Sequence, residues 1–177
     1  MIDNNKARGS ELLIKKILVP FDNSKYSEKC LTYAVNLAKV VFLGNRDRPT
    51  VNILLLHVIQ DLPITKSLLD KPVRSKEGKA TSLSQHALAI YNEMEDSIKK
   101  VIKEKIIKFE STEGVKIEYS ILYGNPANEI VDYATKNMVD LLIMGSNGLQ
   151  GLAKIKGLGS VSRKVSEKVS CPITIIR

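Results

Sequence analysis

Five strand-length apolar segments, separated by stretches whose apolar residues recur every three or four positions, constrain this chain more than any other feature. The first is Ile17 to Val19 in "KKILVPFDNS", running through Pro20 into the turn formers Asp22, Asn23 and Ser24. "VNILLLHVI" (51 to 59) is apolar almost throughout, as a strand covered on both faces should be. "VKIEYSILY" (115 to 123) alternates, which suits a less protected strand. "VDLLIM" (139 to 144) and "CPITIIR" at the end supply the fourth and fifth. Between them, Cys30, Ala34, Leu37, Ala38 and Val41 form one helical stripe, ended by Gly44 and Asn45. Leu83, Ala87, Ile90, Met94, Ile98 and Val101 mark a long helix reaching about Phe109. Ala127, Ile130, Val131, Ala134 and Met138 face inward after Pro126, and Val161, Val165 and Val169 give a short last helix. Strands alternating with helices demand right-handed crossovers, so the fold class is α/β, an open five-stranded parallel sheet with helices on both faces. By analogy with such sheets the strand order is 3-2-1-4-5. Residues 61 to 81, with two prolines, a glycine and no period, read as a long loop.

The 177 residues suit a single domain over 13–177 behind a flexible polar tail, 1–12. No apolar run reaches the roughly 20 residues that span a bilayer, and the first ten residues lack a signal-peptide core, so a cytoplasmic location without membrane contact is expected. Cys30 and Cys171 lie far apart with no CxxC, which predicts buried free thiols rather than a zinc site or disulfide framework.

In an open parallel sheet, ligands bind beyond the carboxyl ends of the strands where their order reverses. With the first and fourth strands adjacent, Pro20 to Ser24 and Gly145 to Gly148 bound that crevice. "MGSNGLQGLAKIKGLGS" (144 to 160) holds five of the chain's ten glycines. Backbone amides reach an anion only where no side chain intervenes, and the next helix presents unpaired amides there, with Ser160 expected as its N-cap. The net charge is +8, and from Gly145 onward six basic residues face the single acid Glu167. A second basic group, Lys99, Lys100, Lys103, Lys105 and Lys108, reads as a solvated helix face. There is no GxxxxGK[ST], and Ser162 stands where a GxGxxG needs its third glycine, which excludes a P-loop and a dinucleotide Rossmann site. His57, at the end of a buried strand, has no nucleophile paired to it by motif and reads as structural or as pocket wall. His86 has no partner either. Asp22 alone cannot form the carboxylate cluster of a metal-dependent hydrolase, so neither catalytic nor metal-ligating residues are assigned.

"KILVPFDNS", "LLHVI", "GNPANEIVDYA", "DLLIMGSNG" and "GSVSRKVSEKVSCPITII" together resemble the universal stress protein family over nearly the whole chain from Lys15. In the nucleotide-binding branch of that family the signature is G-x2-G-x9-G-[ST]. Gly145 and Gly148 match its first half and Gly159-Ser160 its end, with ten residues between Gly148 and Gly159 in place of nine. The resemblance implies a Rossmann-like, adenine nucleotide alpha hydrolase-like fold that binds ATP, with Mg2+ admitted only as a phosphate-bridging ion that has no dedicated ligands. It implies that Pro20, Phe21 and Asp22 contact the adenosine end and Val58 the adenine. Met144, Gly145 and Gly148 would line the nucleotide, and Gly159, Ser160 and Val161 would hold the phosphates. The implied function is a stress-response sensor or regulatory module with little or no hydrolysis, forming a homodimer through Ile173 to Ile176 rather than binding nucleic acid. The alternatives are a ligand-free dimeric module that binds a partner and a slow ATPase.

Overall fold

The computed structural model describes residues 14–45, 47–60, 72–74, 80–148 and 157–177. The first strand, β1 (Lys16–Pro20), lies between β2 (Val51–Ile59) and β6 (Leu141–Gly145). Outside these are β5 (Val115–Tyr123) and β7 (Ile173–Ile176), giving the order β5-β2-β1-β6-β7. Every pairing in this sheet is parallel. Counted within the sheet this is the expected 3-2-1-4-5. The central strands are apolar on both sides because each side meets helices. Ile17, Val19, Ile53, Leu55, Leu141 and Ile143 pack with α1 (Lys25–Gly44) and α2 (Leu83–Ile107). Their alternates Leu18, Leu54, Leu56, Leu142 and Met144 pack with α3 (Pro126–Lys136) and α4 (Ser160–Lys168).

Local signals set the helix ends. Ser24 caps α1 by accepting from the Ser27 amide at 3.2 Å, so the helix starts at Lys25, five residues ahead of the first residue of its apolar stripe, Cys30. Ser82 and Gln85 form a capping box on α2. Asn125 accepts from the Ala127 and Asn128 amides, with Pro126 at the first helical position of α3.

Four expectations need correction. Within the stretch read as a loop, β3 (Pro72–Arg74) and β4 (Ala80–Ser82) pair antiparallel, and three-residue strands are too short to show a period; residues 61–71 and 75–79 lie outside the described residues. Ile90 and Met94 are 37% and 41% exposed rather than inward. Twenty-five helical residues extend about 37 Å, more than the roughly 30 Å of a nine-residue strand, and it is Ile98, Val101, Ile102 and Ile106 of the C-terminal half that pack against the sheet. Met138 is 75% exposed, because α3 has already ended and Met138 takes a left-handed φ of 50° that turns it outward. Cys171 is half-buried, not buried like Cys30, since it leads into the edge strand. Lys100 and Lys103 on α2 and Lys108 at its C-cap are exposed, while Lys99 pairs with Glu95 at 2.7 Å and Lys105 with Glu28.

Candidate functional site

Past β1, the Phe21 amide donates to the Leu56 carbonyl at 2.8 Å, extending the ladder by one residue. Its carbonyl accepts from His57 Nδ1 at 2.7 Å, and its ring is buried toward α1, so Phe21 offers the crevice its backbone. Asn23 then adopts a φ of 62°, turning the chain toward α1. The half-buried Asp22 does not cap that helix. Its Oδ1 accepts from the Ser24 amide at 3.0 Å and leaves the cap to Ser24. Two residues of this corner carry clear protonation shifts. Burial pushes the Cys30 thiol up to about 12, aided by the Asp22 charge. Burial also lowers the His57 pKa, against smaller opposing effects of the Phe21 hydrogen bond and Asp22.

On the other side of the crevice, β6 ends in Gly145-Ser146-Asn147-Gly148. A Cβ at Gly145 would stand 2.8 Å from Tyr26 Cβ, and one at Gly148 would stand 2.6 Å from Asp22 Oδ2. Both are shorter than any ordinary contact: at Gly145 the neighbour is a Cβ fixed to the α1 backbone, so glycine is needed for the turn to approach α1, while at Gly148 a side chain would push the Asp22 carboxylate aside. Gly159 differs: its nearest neighbour would be the Ser146 carbonyl at an ordinary 3.4 Å.

The start of α4 is fastened to this turn. The Gly159 amide and Ser162 Oγ both donate to the Ser146 carbonyl, each at 2.8 Å, while the Ser146 amide donates to the Ile176 carbonyl at 2.8 Å. The N-cap is Gly159, not the expected Ser160, which is the first helical residue and exposed. A glycine cap has no side chain to offer, and no side-chain hydrogen bond caps α4. Its first-turn amides therefore present their donors and partial positive charge at the end of the helix. Arg163, Lys164 and Lys168 on α4 outnumber Glu167. Lys25 and Lys29 stand over the Tyr26 ring at 5.4 and 5.9 Å, beside Gly145.

The ten residues singled out from sequence thus fall at the ends of three adjacent strands and the start of one helix. Asp22 meets Gly148, and Gly159 meets the turn that follows Gly145. Val58, Met144 and Val161 share the apolar cluster under α3 and α4. Pro20 pairs in register with Leu56. The side chain of Met144 is 4% exposed, so it belongs to the floor of the crevice rather than its opening. Gly151, Lys154 and Lys156 lie outside the described residues. Sequence reasoning missed Tyr26, Ser146 and Ser162. A serine carries no periodic signal, and the one available clue was Ser162 in the place of a third glycine. Among the described residues no group of three His, Cys, Asp or Glu could hold a metal, and no helix is long and apolar enough to cross a membrane.

A parallel sheet of order β5-β2-β1-β6-β7, with a glycine turn, an aspartate and a helix end lacking a side-chain cap where the order reverses between β1 and β6, defines the class as a doubly wound α/β domain. The particular family follows from comparison: the Universal stress protein family matches residues 13–177, and this chain belongs to it. Universal stress protein MJ0531 of Methanocaldococcus jannaschii is 32% identical over 174 residues, covering 98% of this chain and 88% of that one. The solved structure of MJ0577 superposes with a TM-score of 0.69 at 26% identity, covering 93% of this chain and 96% of that one. Two more distant folds were solved with nucleotides: a universal stress protein with cAMP (TM-score 0.60, 16% identity, 93% and 98% covered) and the Archaeoglobus fulgidus protein with dAMP (0.52, 19%, 93% and 99%).

Proposed function

We propose that this protein binds an adenine nucleotide, ATP foremost, at the switch point between β1 and β6, and acts as a stress-responsive regulatory module rather than a fast enzyme. The observation that carries the reading is the uncapped α4 N-terminus fastened to the Ser146 carbonyl, across the glycine turn from Asp22. The amides of Ser160, Val161 and Ser162, exposed Ser160 and nearby cations suit phosphate, while Asp22 at the β1 end suits the hydroxyls of a ribose. The cAMP and dAMP complexes of distant family members support the ligand class. Pro20, Phe21, Asp22 and Val58 would face the nucleoside, Met144, Gly145 and Gly148 the middle of the site, and Gly159, Ser160 and Val161 the phosphates. A Mg2+ would ride with the phosphates, held by them and water. Calorimetry with ATP, ADP and AMP tests this, alongside Gly148→Val, whose branched side chain would collide with Asp22 and with the ligand. A wild-type protein that neither carries nucleotide after purification nor takes it up at millimolar ATP refutes it.

The same reading includes a homodimer through β7. This strand occupies one edge of the sheet with four half-buried residues, and an apolar edge leaves backbone donors and acceptors for another strand to satisfy. Sedimentation equilibrium decides it, a monomer at micromolar concentration being the contrary result.

A further inference from the structure

His57 is the one imidazole joined to the crevice among the described residues, and its geometry specifies its proton. The Phe21 carbonyl has no hydrogen to give, so a 2.7 Å contact with Nδ1 requires that Nδ1 carry the proton and donate it. Phe21 is then held on both sides of its residue: its amide donates to Leu56 and its carbonyl accepts from the adjacent His57 of β2. The next residue is Asp22, whose two oxygens do separate work. Oδ1 accepts from the Ser24 amide at the start of α1, and Oδ2 lies against Gly148. A rotation of the Phe21–Asp22 peptide would break the His57 bond and move the carboxylate away from the glycine turn.

We infer that His57, as the Nδ1–H tautomer, is the positioning residue for Asp22, fixing the Phe21–Asp22 peptide so that the carboxylate stays between Ser24 and Gly148. This goes one step beyond the proposed nucleotide site and rests on it only for the effect on affinity. The side chain acts through the backbone of Phe21 and needs no contact with ligand. Burial disfavours the imidazolium, so the donor is held as a neutral ring that adds no charge beside Asp22.

The test compares three proteins. His57→Leu keeps bulk and loses the donor, while His57→Asn places an amide N–H close to where Nδ1 stood. Hydrogen exchange of the Ser24 amide reads the position of Asp22 without any ligand. The Kd for ATP reads its consequence. His57→Leu is expected to accelerate Ser24 exchange about tenfold and raise the Kd for ATP about tenfold, the equivalent of one hydrogen bond. His57→Asn is expected to restore both to within about threefold, which space filling alone would not do. Long-range proton–nitrogen spectra of the wild type should show Nδ1 as the protonated nitrogen. Should His57→Leu not fold, the asparagine variant and the spectra still decide. Unchanged Ser24 exchange in the leucine variant, no rescue by asparagine, or a protonated Nε2 with bare Nδ1 would each overturn the inference. Failure of the wild type to bind ATP would instead refute the nucleotide reading, and the exchange data would judge His57 by themselves.

Discussion

Replacing Ser162 by alanine removes one atom that two segments share. Ser162 Oγ donates to the Ser146 carbonyl at 2.8 Å and lies 3.1 Å from the Gly159 carbonyl, at a site only 3% exposed. After the substitution neither carbonyl is orphaned. Ser146 keeps the Gly159 amide and Gly159 keeps the Arg163 amide, at 2.8 and 2.9 Å. The loss is therefore that of a satisfied hydrogen bond, about 1 kcal/mol, and not the larger penalty of a buried unpaired group. In a chain of this length about 1 kcal/mol lowers Tm by roughly 2–4 °C. With ATP bound as proposed, its affinity should fall too, by up to about tenfold, because the α4 amides lose one of their two attachments to the glycine turn. Ser166→Ala supplies the control: its hydroxyl donates to the Arg163 carbonyl at 2.8 Å on the same helix, at an exposed site remote from the turn. Thermal melts, ATP calorimetry and exchange of the Gly159 amide measure the pair. A Ser162→Ala protein with wild-type Tm and Kd refutes the reasoning, as does an equal loss of affinity in Ser166→Ala.

Other expectations follow from single sites. Because the folded-state pKa of His57 is lowered, the unfolded chain binds a proton that the folded chain lacks between the folded value and the ordinary imidazole value. Stability should therefore be full above the ordinary imidazole range and decline as pH falls through it, and Tm measured from pH ~7 to ~4.5 should have a shallower slope in His57→Asn; an unchanged slope counts against burial as the cause. With its thiol pushed up to about 12, Cys30 should resist alkylation at neutral pH until the protein unfolds, while half-buried Cys171 reacts first, as mass mapping after a timed iodoacetamide pulse would show. Gly114→Ala should destabilise by about 2–4 kcal/mol in chemical denaturation, since φ is +73° and the new Cβ would stand 2.2 Å from the Phe42 ring, and a loss under ~1 kcal/mol would mean that the ring moves aside freely.

What could be read from the residues depended on the range of the force involved. The sheet was legible because hydrophobic burial acts on every residue of a strand: Ile17 to Val19, Ile53 to Leu56 and Leu141 to Met144 are apolar on both sides, which only a doubly covered sheet requires. The same reasoning overreached at Ile90 and Met94, where the stripe continues along a helix longer than the surface beneath it. It overreached again at Met138, since an apolar residue in phase with a helix says nothing about where the helix ends. The glycine spacing located the crevice, yet glycine identity could not distinguish Gly145 and Gly148, crowded by Tyr26 and Asp22, from Gly159, where a Cβ would make only ordinary contacts.

The added residue in the glycine segment shows why the fastening matters more than the count. By loop closure alone, going from nine to ten residues between Gly148 and Gly159 costs about 0.1 kcal/mol. Against this, two hydrogen bonds on one carbonyl, from the Gly159 amide and Ser162 Oγ, contribute about 1 kcal/mol each. The anchors outweigh the insertion by an order of magnitude, so the chain length between the two halves is free to vary while their juxtaposition is not. It follows that shortening the segment by one residue should leave the Kd for ATP unchanged within about twofold, whereas Ser162→Ala should not, and calorimetry on the two variants side by side separates length from attachment.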